Sequence, residues 1–219
     1  MGAQADQVRD DILGRVRSRE LMPGDRIDET DLRERLSLSG TPVREALISL
    51  EATGIVQRIP RGGARITSLD LEGLMKMIEV LAEIEGAVVY RAARRINTAQ
   101  AEILQQATQA CLDHANGKEQ PHDSYYDVNL AFHTALVEAA GNQHLEEVTY
   151  QVGNRLIGYL SARHNLPGEP QRSANDHVAI CEAVLEAKGD LARDLMIRHV
   201  IFSDTLALDV MNAMRNAND

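Results

Sequence analysis

The chain has 219 residues, 44% of them hydrophobic but only 3% aromatic, and carries a net charge of −10. That length accommodates one large domain or two smaller ones with real cores, whereas the charged N-terminus and the lack of any long apolar run speak against export and membrane spanning, so a cytosolic protein is expected. Only Cys111 and Cys181 are present, with no CxxC pair, which excludes a disulfide framework or a zinc ribbon and leaves two reduced thiols.

Charge divides the chain. Residues 1 to 68 hold 11 Lys/Arg and 11 Asp/Glu, whereas residues 69 to 219 hold 12 and 22. The acidic part should repel nucleic acid. The neutral part, in which every basic residue is Arg, can still present one basic face, so DNA binding is confined to the first third.

In chain order, DQVRDDILGRVRSREL places Val8, Ile12, Leu13 and Val16 at helical spacing and stops at Pro23-Gly24. A short helix follows in ETDLRERLSL, with Leu32 and Leu36 on one side. In the next segment, SGTPVREALISLEATGIV, Thr41 is expected to N-cap a helix with Pro42 at its first position. Val43, Ala46, Leu47 and Leu50 form its apolar face, and Gly54 is its stop. IVQRIPRGGARIT then turns through Pro60 and Gly62-Gly63 and reads as a two-stranded wing carrying Arg58, Arg61 and Arg65. A helix exposing Thr41, Arg44 and Ser49 opposite its core face suits a major groove, with the wing arginines on the backbone. Plain helix packing uses the same geometry.

The run LMPGDRIDETDLRERLSLSGTPVREALISLEATGIVQRIPRGGARI resembles the winged helix-turn-helix of GntR-family bacterial transcription regulators, over about the first 68 residues. TPVREAL, LEATGIV and PRGG carry the likeness. The resemblance implies that Arg44 contacts DNA from the recognition helix, that Thr41 assists at its N-terminus, and that Arg61 and Gly62 approach from the wing. Two positions depart from the family: Gly40 stands where an arginine is common before the Thr-Pro pair, and Thr30 where some members have another. Each lost contact removes ~1–3 kcal/mol of discrimination or one unit of salt dependence, so the operator should differ from the commonest one or bind more weakly.

From Asp70 onward the pattern is helical: LEGLMKMIEVLAEIEGAVVYRAARRI, then Asn97-Thr98 to about Ala115, a third helix from Pro121, a break at Gly141-Asn142, and two more helices after Pro167 and Gly189. About six helices with short connections predict an antiparallel all-α bundle with an aliphatic core. The fold is therefore expected to be mainly α, a winged helix-turn-helix over 1–68 and a helical domain over 69–219.

Three of the seven histidines stand apart. His133 follows Asn129 by one turn beside the apolar stripe of NLAFHTALVEAAGN. His177 lies among Ala174, Ile180, Cys181 and Val184, and His199 among Leu195, Met196 and Phe202. His114, His122, His144 and His164 fall near helix ends or in polar stretches, where solvation suffices. A buried imidazole needs a partner for each nitrogen, so His177 and His199 require company. If the helices face one another, Asn129, His133, His177 and His199 converge on one cation, a set suited to Zn²⁺, Ni²⁺ or Fe²⁺ with open positions. Three separately hydrogen-bonded histidines would satisfy the same pattern, and spacing alone does not choose.

NLAFHTALVEAAGNQHL and HVAICEAVLEAKGDLARDLMIRH resemble the FCD effector-binding domain of the FadR branch of these regulators, over about residues 70 to 215, in its shorter VanR-type form. The resemblance implies a divalent metal on Asn129, His133, His177 and His199, and a small carboxylate effector beside it. With Asn129 in place of an Asp, every protein ligand is neutral and the ion keeps its full charge for an anion. An arginine that clamps effector in many relatives is replaced by Leu81, and Arg155 is the substitute expected here.

The resulting expectation is a homodimeric regulator, a repressor by analogy, reading a palindromic operator on double-stranded DNA under control of a carboxylate. One rival is a metal-dependent hydrolase or lyase, which turnover lost on His177→Ala would favour. Another is a pure metal sensor, against which DNA affinity indifferent to chelation would count.

Overall fold

The computed structural model describes residues 2–59, 63–118 and 124–215. The first core joins α1 (Ala3–Arg17), α2 (Glu29–Leu36) and α3 (Gly40–Ala52) to a small sheet of β1 (Arg26–Ile27), β2 (Val56–Arg58) and β3 (Ala64–Ile66). The sheet order is β1-β3-β2, antiparallel throughout, with Arg26 opposite Arg65 and Gln57 opposite the same residue. The wing thus has a third strand that the sequence reading missed, because a two-residue Arg-Ile strand is too short to show periodicity.

The helix boundaries follow side-chain chemistry. Asp28 accepts from the backbone N–H groups of Thr30 and Asp31 and caps α2. Helix α3 begins one residue before Thr41: Ser39 is its N-cap residue, and Thr41 and Pro42 lie inside the first turn. The expected cap at Thr41 is corrected accordingly. Proline remains tolerated there, because the first four N–H groups of a helix have no intrahelical acceptor.

The second core is built by α4 (Leu71–Arg95), α5 (Thr98–Ala115), α6 (Tyr125–Ala140), α7 (Gln143–His164), α8 (Glu169–Leu185), α9 (Gly189–Val200) and α10 (Asp204–Arg215). Asn97 and Gln100 form a reciprocal capping box on α5. The expected start of α6 at Pro121 lies outside the described residues. Among the described residues seven helices stand where about six were expected, because the chain leaves the helix at Ile201–Ser203, with Ile201 extended, and re-enters it at Asp204. Helix α9 packs closely on α4: a Cβ on Gly86 would meet Ile197 Cγ1 at 3.0 Å. That close approach sets His199 beside the middle of α4.

Helix α7 is the platform joining the two cores. Ser161 Oγ donates to the Arg17 carbonyl at 2.7 Å, and Tyr159 Oη bridges to the backbone of Leu69, accepting from its N–H at 2.7 Å. Gly158 admits the Pro23 ring, whose carbons would lie 3.0 Å from any Cβ there. Ile157 and Tyr126 belong to the first core although their helices build the second. No described helix is long and apolar enough to cross a membrane.

Candidate functional site: a reading face and a histidine cavity

On the reading head, the buried face of α3 is Val43, Ala46, Leu47 and Leu50, and the opposite face exposes Thr41 and Arg44. Of the wing arginines, Arg65 donates to Gln57 Oε1 at 3.0 Å, and Arg58 lies 3.6 Å from Glu51. Arg61 and Gly62 lie outside the described residues. A residue not singled out in sequence, Arg33 on α2, is exposed and reaches the N-terminus of α3, its Nε 4.0 Å from where a Cβ on Gly40 would sit. It brings a guanidinium beside the position at which the family arginine is missing.

In the helical domain, His133, His177 and His199 come together. One ligating atom from each lies within 4.8 Å of the others, although the residues belong to α6, α8 and α9. His177 Nε2 and His199 Nε2 are 3.2 Å apart. Two nitrogens bound to one ion at ~2.0–2.1 Å, in tetrahedral or octahedral geometry, stand about 2.9–3.4 Å apart, so this pair fits a shared cation. Asn129 is buried one turn before His133 on the same cavity wall, with its Oδ1 3.4 Å from the Ser173 hydroxyl, which donates. His177 is held flat against Phe132, with ring centroids 3.8 Å apart.

Burial, reinforced by the neighbouring imidazoles, drives the His177 and His199 pKa values well below the ordinary range. Both rings are therefore neutral, the form that binds metal. His199 Nδ1 sits 3.1 Å from Asp176 Oδ2, which fixes that ring's tautomer and leaves Nε2 with its lone pair toward His177. The His177 Nδ1 has no hydrogen-bond partner and is buried. Asp176 is in turn held by Arg172 at 3.0 Å.

Glu85, on α4, is the most consequential residue that the sequence reading passed over. It is buried, and its Oε2 approaches His133 Nδ1 to 2.6 Å, out of line for a hydrogen bond. The signal was present: Glu85 interrupts the stripe of Leu81, Ala82, Val88 and Val89 at the position where an apolar residue belongs. Its presence, together with Asp176 behind His199, adds two carboxylates around the neutral ligands that were expected, and so lessens the charge that an ion there would keep. One carboxylate, Asp176, orients an imidazole, and a second, Glu85, lies beside another.

The cavity beside these histidines has a volume of about 70 Å³, several times the ~10–15 Å³ that one water occupies on the same measure. Glu85, Asn129, His133 and His199 line one side, and Thr134, Thr149, Tyr150 and Asn154 supply further polar groups. His164 also lines it, buried, with its pKa pushed down to about 3 by burial and by His133, so its reading as a solvated histidine is corrected. Arg155 is not at the cavity: its guanidinium packs against Gly54 of the reading head, within 3.0 Å of a Cβ built there. Arg163 lines the cavity instead, 2% exposed, but it is occupied by Glu169 Oε2 at 2.8 Å and the His199 carbonyl at 2.9 Å.

Both parts of the chain match known families. The profile of bacterial regulatory proteins of the gntR family matches residues 4–66, and that of the FCD domain matches residues 76–202. The probable D-xylose utilization operon transcriptional repressor of Paenarthrobacter nicotinovorans is 26% identical over 90% of this chain and 85% of its own length. The repressor RspR of Escherichia coli is 26% identical over 82% and 78%. Among solved structures, Escherichia coli McbR/YncC shares the fold over the whole of both chains, with a TM-score of 0.80 at 19% identity. With both profiles present on one polypeptide, the protein belongs to the GntR family of bacterial regulators that join a DNA-binding head to an FCD domain, and it is a transcriptional regulator rather than an enzyme.

Proposed function

We propose that the protein is a homodimeric repressor whose hold on a palindromic operator is controlled by a small carboxylate bound beside a divalent transition metal in its FCD domain. The division of labour falls near residue 68, with the head reading DNA and the rest binding metal and effector. The observation that carries this reading is the convergence of three imidazoles from three helices within 4.8 Å, two of them kept neutral by burial, beside a cavity whose wall includes His133 and His199. Asn129, His133, His177 and His199 would hold the ion, with Zn²⁺, Ni²⁺ and Fe²⁺ all suited to that donor set. The metal supplies a positive centre and open coordination positions for a carboxylate. Asp176 holds the His199 ring from behind and strengthens metal capture, and the Glu85 carboxylate beside His133 lowers the net charge left for an anion.

On the head, Arg44 takes a base edge or phosphate, Thr41 and Arg33 flank the N-terminus of α3, and Arg61 and Gly62 act from the wing. One small head buries too little to specify a site, so two copies on twofold half-sites are required, inside the cell where the DNA lies. Relatives named as repressors support repression as the sign of control.

The test is metal analysis of the purified full chain, followed by DNA selection from a random-sequence library. We expect about one transition-metal ion per chain and enrichment of a palindrome. Absence of enrichment at low salt by folded protein would sink the proposal, and release by metal alone, with every carboxylate inert, would make the protein a metal sensor instead.

A further inference from the structure

The cavity wall contains one residue from the other domain. Arg17, the last residue of α1, lines the histidine cavity together with Glu85, Tyr126 and His133. It also lines the adjoining, more open depression, sharing Leu130 and Thr134 between the two, so it stands where the cavity meets the surface. Its backbone is pinned there by the 2.7 Å hydrogen bond from Ser161, and its Nε is buried with no partner. Among the described residues no carboxylate lies within salt-bridge distance of it, whereas Arg163 is already engaged by Glu169 and by main-chain carbonyls. Glu85 would repel an anion entering this space, and Arg17 is the charge positioned to offset it.

We infer that Arg17 of the DNA-binding head is the counter-ion for the carboxylate effector, so that the ligand bridges the two domains. The inference rests on the carboxylate reading given above and deepens it. A ligand held at one end by the FCD domain and at the other by Arg17 fixes the end of α1 against α7. Helix α1 packs on α3 through the first core, with Val8, Ile12 and Leu13 buried among Val43, Leu47 and Leu50. Ligand and DNA thereby act on one and the same domain equilibrium in opposite directions, which is the differential contact that release requires. An arginine also prefers a planar two-oxygen partner, which suits a carboxylate better than a neutral sugar.

The experiment uses the full chain loaded with Co²⁺ and titrated with acetate, malonate and citrate. Visible absorption reports the ion's surroundings, and hydrogen exchange reports α1. For wild type we expect at least one carboxylate to shift the spectrum and to slow exchange in α1 as well as in the helical domain. In Arg17→Met the same carboxylate should bind about tenfold more weakly and leave exchange in α1 unslowed, with Arg17→Lys recovering most of both. Equal carboxylate affinity in Arg17→Met and wild type, or slowing confined to the helical domain in wild type, overturns the inference. If no carboxylate perturbs Co²⁺ in wild type, the parent reading fails and takes this one with it. Binding at the metal without any effect on α1 overturns this one alone.

Discussion

The reading head and the histidine cavity solve opposite problems. The head keeps its apolar residues inside a small core and sets its working groups, Thr41, Arg33 and Arg44, on an exposed face where water satisfies them until DNA arrives. The cavity does the reverse, burying Glu85, Asn129, Arg163, His164, His177 and His199 inside a helical domain. Exposed working groups act nearly independently, each contributing its own contact. Buried ones depend on one another, since removing a partner strands the rest without solvent. Substitutions in the head should therefore cost modest, separable amounts, and those in the cavity should fail together.

The largest expected effect comes from His177→Ala. Losing one of three imidazoles should lower metal affinity by more than the ~10–100-fold typical of an outer-shell partner, and bring metal content close to zero by elemental analysis. Retention of one ion per chain would show that the histidines are only packing. Next is Asp176→Asn, which keeps the shape but weakens the group that orients His199. It should cost ~10–100-fold in metal affinity by chelator competition, and an unchanged value would place Asp176 outside the site.

On the head, Arg44→Ala should weaken operator binding by ~1–3 kcal/mol while metal content stays the same. A loss of metal on this change would break the proposed separation of the two regions. An effect of similar size concerns acid. His164 has a folded pKa of about 3 against an ordinary 6.5, so between those values the unfolded chain binds the extra proton and the folded one does not. Stability is then fully present above pH 6.5 and falls as the pH drops below it, by up to about 1.4 kcal/mol per pH unit for that ring alone. Denaturant titration of chelated protein from pH 7.5 to 5 measures this, and a flat profile would contradict burial of a neutral ring.

The same contrast explains what could be read from the sequence. The head's elements are local, its turns are marked by Gly and Pro, and TPVREAL sits on one short helix, so fold and face were both legible. The two-residue strand β1 was not, and the helix start lies two residues earlier than expected because Thr41 resembles a cap. In the bundle, His133, His177 and His199 were legible as polar residues on apolar stripes. Glu85 carries the same mark on a different helix, and His164 resembles a solvated helix end in the sequence because burial of the α7 terminus comes from Tyr125 and Tyr126, about forty residues away. Arg17 could not be found from sequence at all, since nothing in α1 announces that its last residue reaches the other domain's cavity.

The central claim is that carboxylate control of DNA binding passes through the metal centre. Its most direct test is fluorescence anisotropy on the selected palindrome, titrated with the carboxylate that binds the Co²⁺-loaded protein most tightly, with and without prior chelation. We expect half-release at a carboxylate concentration at least ~10-fold lower for metal-loaded than for metal-free protein, in line with coupling energies of ordinary size. Superimposable release curves would contradict the account.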